Sequence, residues 1–164
     1  MPDEDHSRDA SIELYADGSF CHEAAYGAWA FRVPALNLEG VGSSEGRTVT
    51  RFELLGVLKG LKAMTSAGRW EMPIEVISGC DSTVNLIKLL CEGRPLRKPQ
   101  QYRDMGDLVP RLQAILEDRQ IHARRYAGGS LHHQECHRNA HRRLREEIGS
   151  KPGMFYYCRS AITT

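Results

Sequence analysis

Ile12-Glu-Leu-Tyr-Ala-Asp-Gly-Ser19 is the stretch on which the reading of the fold turns. Apolar side chains at Ile12, Leu14 and Ala16 give the period-2 alternation of a strand. The run is expected to end at Asp17-Gly18-Ser19, where glycine lets the backbone turn, so a carboxylate stands at a strand end. Two more strands follow: the nearly continuous apolar run Tyr26 to Val33, then a weaker one through Leu36, Leu38 and Val41 beyond Pro34. Short links between them predict an antiparallel meander.

From Thr50 the period changes. Leu54, Val57, Leu58, Leu61 and Met64 recur at helical spacing until Gly68, a helix of about four turns. Pro73 to Gly79 reads as a fourth strand, and it too runs into an acid, at Cys80-Asp81, followed by a helical run through Val84, Ile87 and Leu90. Strand, long helix, strand implies a crossover that makes strands one and four parallel neighbours. Asp17 and Asp81 then lie roughly 5 Å apart, close enough to hold one hard cation between them. Residues 93 to 103 form a basic loop with Arg94, Arg97, Lys98 and Arg103. Asp107 is placed to cap a helix carrying Leu108, Leu112, Ile115 and Leu116, with Pro110 in its first turn. Gln120 to Tyr126 reads as a fifth strand, and Cys136, Ala140, Leu144 and Ile148 mark one face of a last helix.

The chain has 164 residues, 41% apolar and 26% charged, which suits one soluble domain and leaves no apolar run long enough for a membrane span. Residues 1–10 are expected to be a disordered tail, 11–149 the folded domain and 150–164 an extension. The acidic start Met1 to His6 does not read as a secretory signal, and a cytoplasmic protein is expected. Five cysteines, none in a C-x-x-C pair, read as reduced thiols. The formal net charge of +1 conceals an asymmetry. Arg94 to Arg145 holds 12 Lys/Arg against 5 Asp/Glu, the footprint of a surface that meets phosphates or of a solvated helix face.

Glu53 admits two roles. With Thr50 it forms T-x-x-E before an apolar run, a capping box in which it bonds the backbone at the helix start. In the other role it points from the first turn of the crossover helix toward Asp17. Asp81 likewise is either a helix cap or a metal ligand.

The order of elements, with Tyr15-Ala-Asp17-Gly-Ser19, Thr50-Arg-Phe-Glu53-Leu-Leu and Asp81-Ser82, resembles type 1 ribonuclease H over roughly residues 11 to 148. The resemblance implies an α/β fold with a five-stranded mixed sheet, strands one to three antiparallel and four and five parallel to one. It implies an endonuclease that hydrolyses the RNA strand of RNA–DNA hybrids with two magnesium or manganese ions about 4 Å apart. The products would carry 5′-phosphate and 3′-hydroxyl ends. Asp17, Glu53 and Asp81 would be the metal ligands, with Glu53 also touching a ribose 2′-hydroxyl. Where the family usually carries a fourth carboxylate, within Asn-x-x-Ala-Asp, this chain reads His137-Arg-Asn-Ala140-His141, so His141 takes the expected ligand place and predicts a manganese preference.

His132 or His133 would supply the family's mobile histidine for proton transfer. Ser19, Thr50, Thr83 and the basic loop would contact nucleic acid, and a monomer is expected. A hybrid-binding module that kept the fold and lost catalysis is the competing expectation. His133, His137 and His141, four residues apart, form a further candidate set, for zinc on a helix face.

Overall fold

The computed structural model describes residues 10–68, 71–96, 99–117, 119–126, 128, 130–149 and 155–157. Its strands are β1 Ile12–Cys21, β2 Tyr26–Val33, β3 Leu38–Glu45, β4 Ile74–Ser78, β5 Ile121–Arg125 and β6 Phe155–Tyr157. Its α-helices are α1 Val49–Ser66, α2 Asp81–Cys91, α3 Leu108–Leu116 and α4 Leu131–Ile148. Pro34–Leu36 and Pro99–Met105 are short 3-10 turns, so Leu36 precedes the third strand instead of opening it.

The sheet order is β3-β2-β1-β4-β5, with β1–β2 and β2–β3 antiparallel and β1–β4 and β4–β5 parallel, as the sequence predicts. β1 is central and buried on both sides. Ile12, Leu14, Ala16 and Phe20 enter the large core with α1, α2 and α3, while Tyr15 packs with Cys136 and Ala140 of α4 and Cys21 with Leu144. Period-2 alternation thus divides β1 between two helical layers.

The expected strand end at Asp17 is corrected. β1 continues to Cys21, with Asp17 paired to Ala30 and Gly18 to Trp29 of β2. Gly18 makes room rather than a turn: a Cβ there would stand 2.5 Å from the Glu53 nitrogen and 2.8 Å from the Phe52 carbonyl carbon. Only β4 stops at this level. Its last pairing is Ser78 with Ala16, so the backbone edge of β1 is released immediately before Asp17. The same edge is taken up again by β6, antiparallel, at Ser19, Phe20 and Cys21. Part of the expected extension is therefore a strand of the sheet.

Thr48, not Thr50, caps α1. Its hydroxyl accepts from the Arg51 backbone N–H at 3.3 Å and donates to Asp104 at 2.9 Å. Thr50 lies inside the helix, so the predicted capping box is not formed. Asp107 precedes α3 without capping it; its carboxylate pairs with Arg51 at 2.7 Å and ties α1 to the segment before α3. Cys21, Cys80, Cys91 and Cys136 are free thiols. Among the described residues no helix is long and apolar enough to cross a membrane.

Candidate active site

Asp17 and Glu53 meet where β4 has ended and α1 begins. Both are buried, 1% and 0% exposed. They arrive from opposite layers: Asp17 projects from the α4 side of β1, and Glu53 reaches down from the first turn of α1 across Gly18. Glu53 Oε2 accepts from the Ser78 hydroxyl at 3.2 Å, and its Oε1 is a buried oxygen with no hydrogen-bond partner. The Glu53 side chain therefore bonds across to β4 and not at the helix start.

Two carboxyl groups this close cannot both ionise cheaply. Burial, then the charge of Asp17, pushes Glu53 well above the usual glutamate range. Burial also pushes Asp17 up, but hydrogen bonds from His137 and Glu53 outweigh it and hold Asp17 below the ordinary aspartate value. Of the two, Glu53 is pushed toward its protonated form and Asp17 is held toward its ionised one. The third member is His137, whose Nδ1 lies 2.8 Å from Asp17 Oδ2. That hydrogen bond raises the imidazole above its ordinary value against the effect of burial.

His137 is the site residue that the sequence left outside its ligand set. His141 stands one turn further along α4, its ring parallel to that of His137 with centroids 6.5 Å apart, and lines a different groove. Burial, with Arg145 and His137 nearby, lowers its pKa. Both histidines lie on one helix face, and His137 is the one bonded to Asp17. The only sequence signal for His137 was the four-residue histidine repeat.

Asp81 does not join the pair. It is the first residue of α2, with Cys80 in the cap position; its side chain is 61% exposed and faces Arg125 at 3.5 Å. Among the described residues, no three His, Cys, Asp or Glu side chains gather closely enough to hold a metal ion, so the zinc set is not assembled either. The Asp17–Glu53 pair by itself has the chemistry of a hard-cation site: two buried carboxyl groups, with one Glu53 oxygen left without a hydrogen-bond partner.

His132 and His133 sit in the first turn of α4, not on a mobile link. Ser130 caps that helix, its hydroxyl accepting from the His133 backbone N–H. His132 packs on the Tyr15 ring at 5.3 Å. His133 is buried and stacked on Tyr126 at 4.1 Å, its Nε2 has no partner, and burial lowers its pKa.

Of the expected nucleic-acid contacts, Ser19 and Thr83 are fully buried with unpartnered hydroxyls, so neither is placed to touch a polymer as the structure stands. Thr50 is partly buried, Arg94 is exposed and paired with Glu92, and Arg103 is exposed. Arg97 and Lys98 lie outside the described residues.

No protein-family model matches the chain. Curated ribonuclease H proteins of Campylobacter jejuni, among them ribonuclease H of strain 81-176 and ribonuclease HI of strain NCTC 11168, are 36% identical over 55 residues. That stretch is 32% of this chain, and the chain spans 38% of the length of these relatives. Two solved structures share the fold. The amino-terminal RNase H domain of a Mycobacterium tuberculosis protein, solved fused to maltose-binding protein, matches with a TM-score of 0.62 at 14% identity, over 85% of this chain and 99% of that one. RNase H1 of the archaeon Halobacterium salinarum matches with a TM-score of 0.55 at 15% identity, over 84% and 99%. The chain therefore has a ribonuclease H-like fold, and its sequence resembles ribonucleases H over about a third of its length.

Proposed function

We propose that this chain is a metal-dependent endonuclease that hydrolyses the RNA strand of RNA–DNA hybrids, leaving 5′-phosphate and 3′-hydroxyl ends. The observation that carries the reading is the buried carboxyl pair Asp17–Glu53, with one Glu53 oxygen unpartnered, at the point where β4 releases β1. Buried carboxyls that repel one another cost stability, and a fold without a use for them would lose nothing by replacing one. A hard divalent cation supplies charge for a phosphate under attack and lowers the pKa of a bound water.

On this reading Asp17 and Glu53 would hold magnesium or manganese, two ions in the two-metal form. His137 would orient Asp17 through Nδ1 and keep it ionised. The expected manganese preference passes from His141 to His137, since an imidazole beside the carboxylates suits manganese better than magnesium.

A second reading, a hybrid-binding module without catalysis, is favoured by Asp81, which pairs with Arg125 instead of completing the carboxylate set. A labelled hybrid incubated with wild type and Asp17→Asn, in magnesium and in manganese, separates the two. Cleavage that Asp17→Asn abolishes supports the nuclease. Tight hybrid binding by a wild type that cuts in neither metal supports the module.

A further inference from the structure

Arg138, His141, Arg142 and Arg145 fall at i, i+3, i+4 and i+7 of α4 and therefore share one helical face. With Glu146 they line an open groove of about 450 Å³. Arg138 is held by Glu135 at 2.9 Å, and on the neighbouring flank Arg143 is held by Glu147 at 3.0 Å. Arg142 and Arg145 are exposed and form no ion pair with a described residue. Two guanidiniums thus face solvent across the groove, with a single carboxylate, Glu146, at its rim. The large apolar side chains exposed among the described residues are Val41, Met72 and Leu131, none of them in the groove.

The groove also adjoins the candidate active site. His141 in its wall lies parallel to His137, and His137 is bonded to Asp17. From Arg142 to Arg145 the helix rises about 4.5 Å, close to one step of about 3.4 Å along a nucleic-acid strand. Guanidiniums spread over that length match successive phosphates of one strand better than a single small anion.

We propose that this face of α4 carries the phosphodiester backbone of the hybrid one helical turn beyond Asp17, with Arg142 and Arg145 each neutralising a phosphate. The proposal rests on the hybrid reading above and adds a contact surface separate from the basic loop at 93–103.

The full chain is titrated with a fluorescent RNA–DNA hybrid in EDTA, by anisotropy, between 50 and 200 mM salt, as wild type, Arg142→Ala/Arg145→Ala and Arg142→Glu/Arg145→Glu. Each phosphate contact contributes about 0.9 to the slope of log affinity against log salt. The alanine pair should make the slope shallower by about 1.8, and the glutamate pair should weaken binding further. Thermal melting confirms that the variants are folded, with Arg145→Gln as a milder variant expected to lose about half of the effect. A slope equal to wild type in all variants overturns the proposal, as does a wild type whose binding shows no salt dependence. Parallel cleavage assays in manganese keep the two readings apart. An altered slope without wild-type cleavage leaves the groove standing and removes the nuclease, whereas cleavage with an unaltered slope removes the groove alone.

Discussion

Gly18 of β1 and the Glu53 backbone of α1 are packed so closely that the absent side chain of one is what lets the other reach the sheet. A methyl group at position 18 would meet the Glu53 nitrogen and the Phe52 carbonyl carbon, which are backbone atoms and cannot swing aside. Gly18→Ala is therefore expected to destabilise the fold by about 1–3 kcal/mol, the usual cost of overpacking. It should also move Glu53 away from Asp17. Urea unfolding reads the first effect. The second appears as a loss of activity in protein that is still folded, which a destabilised but undisplaced site would not give.

His137 and His141 make opposite predictions for one substitution. Because His137 bonds Asp17, His137→Asp puts a third carboxylate against the pair and should raise magnesium-supported cleavage, by tenfold or more if charge at that place is limiting. His141→Asp changes a groove wall and should leave the ratio of magnesium to manganese rates near that of wild type. Rates measured for both variants in each metal decide the register. A magnesium gain confined to His141→Asp would return the ligand role to the position the motif suggested.

Thr48 supplies two bonds at the start of α1, one to the Arg51 N–H and one to Asp104. Thr48→Ala should cost about 1 kcal/mol, the common value for loss of an N-cap hydroxyl. Thr50→Ala, inside the helix, should cost less. Chemical denaturation of the two variants side by side tests which threonine is the cap.

Asp107 predicts an acid limb. Its hydrogen-bonded pairing with Arg51 outweighs partial burial and holds the carboxyl below the ordinary aspartate value. A carboxyl bound more weakly by protons in the folded state stabilises the fold above its unfolded value, near 3.8, and that contribution fades as pH falls through the lower folded value. The Asp107 side chain is largely exposed, so the contribution is small and screened by salt. Melting temperatures of wild type and Asp107→Asn should differ near neutral pH, most at low salt, and converge as pH falls through the lowered folded value.

The legible parts of this chain are those governed by local spacing. The apolar alternation of Ile12, Leu14 and Ala16 and the helical recurrence from Leu54 to Met64 depend on neighbours in sequence, so the first strand, the crossover helix and the parallel pairing of β1 with β4 are legible there, whereas β6 is not. Residues whose role depends on distant partners could not be placed. Glu53 is a sound cap by its neighbours and becomes a site residue only because Gly18 admits α1 to the sheet. His137 and His141 share a face, and nothing local says which of two turns lies beside Asp17. Ser19 and Thr83 are polar, which suggests exposure, yet central β1 and the first turn of α2 bury them. The glycine after Asp17 reads as a strand end, while the strand that ends there is β4.

The brief strand β6 bears on how the protein behaves when shortened. It satisfies the backbone of β1 at Ser19 to Cys21, on the edge that β4 leaves before Asp17. A chain cut before Phe155 would carry open hydrogen-bonding groups within two residues of Asp17, and open strand edges recruit other chains. Such a protein should self-associate with rising concentration, visible by sedimentation, and its activity should fall as it does so, because the surface that sticks borders the carboxylate. The last strand is in that sense a guard against the molecule becoming its own inhibitor.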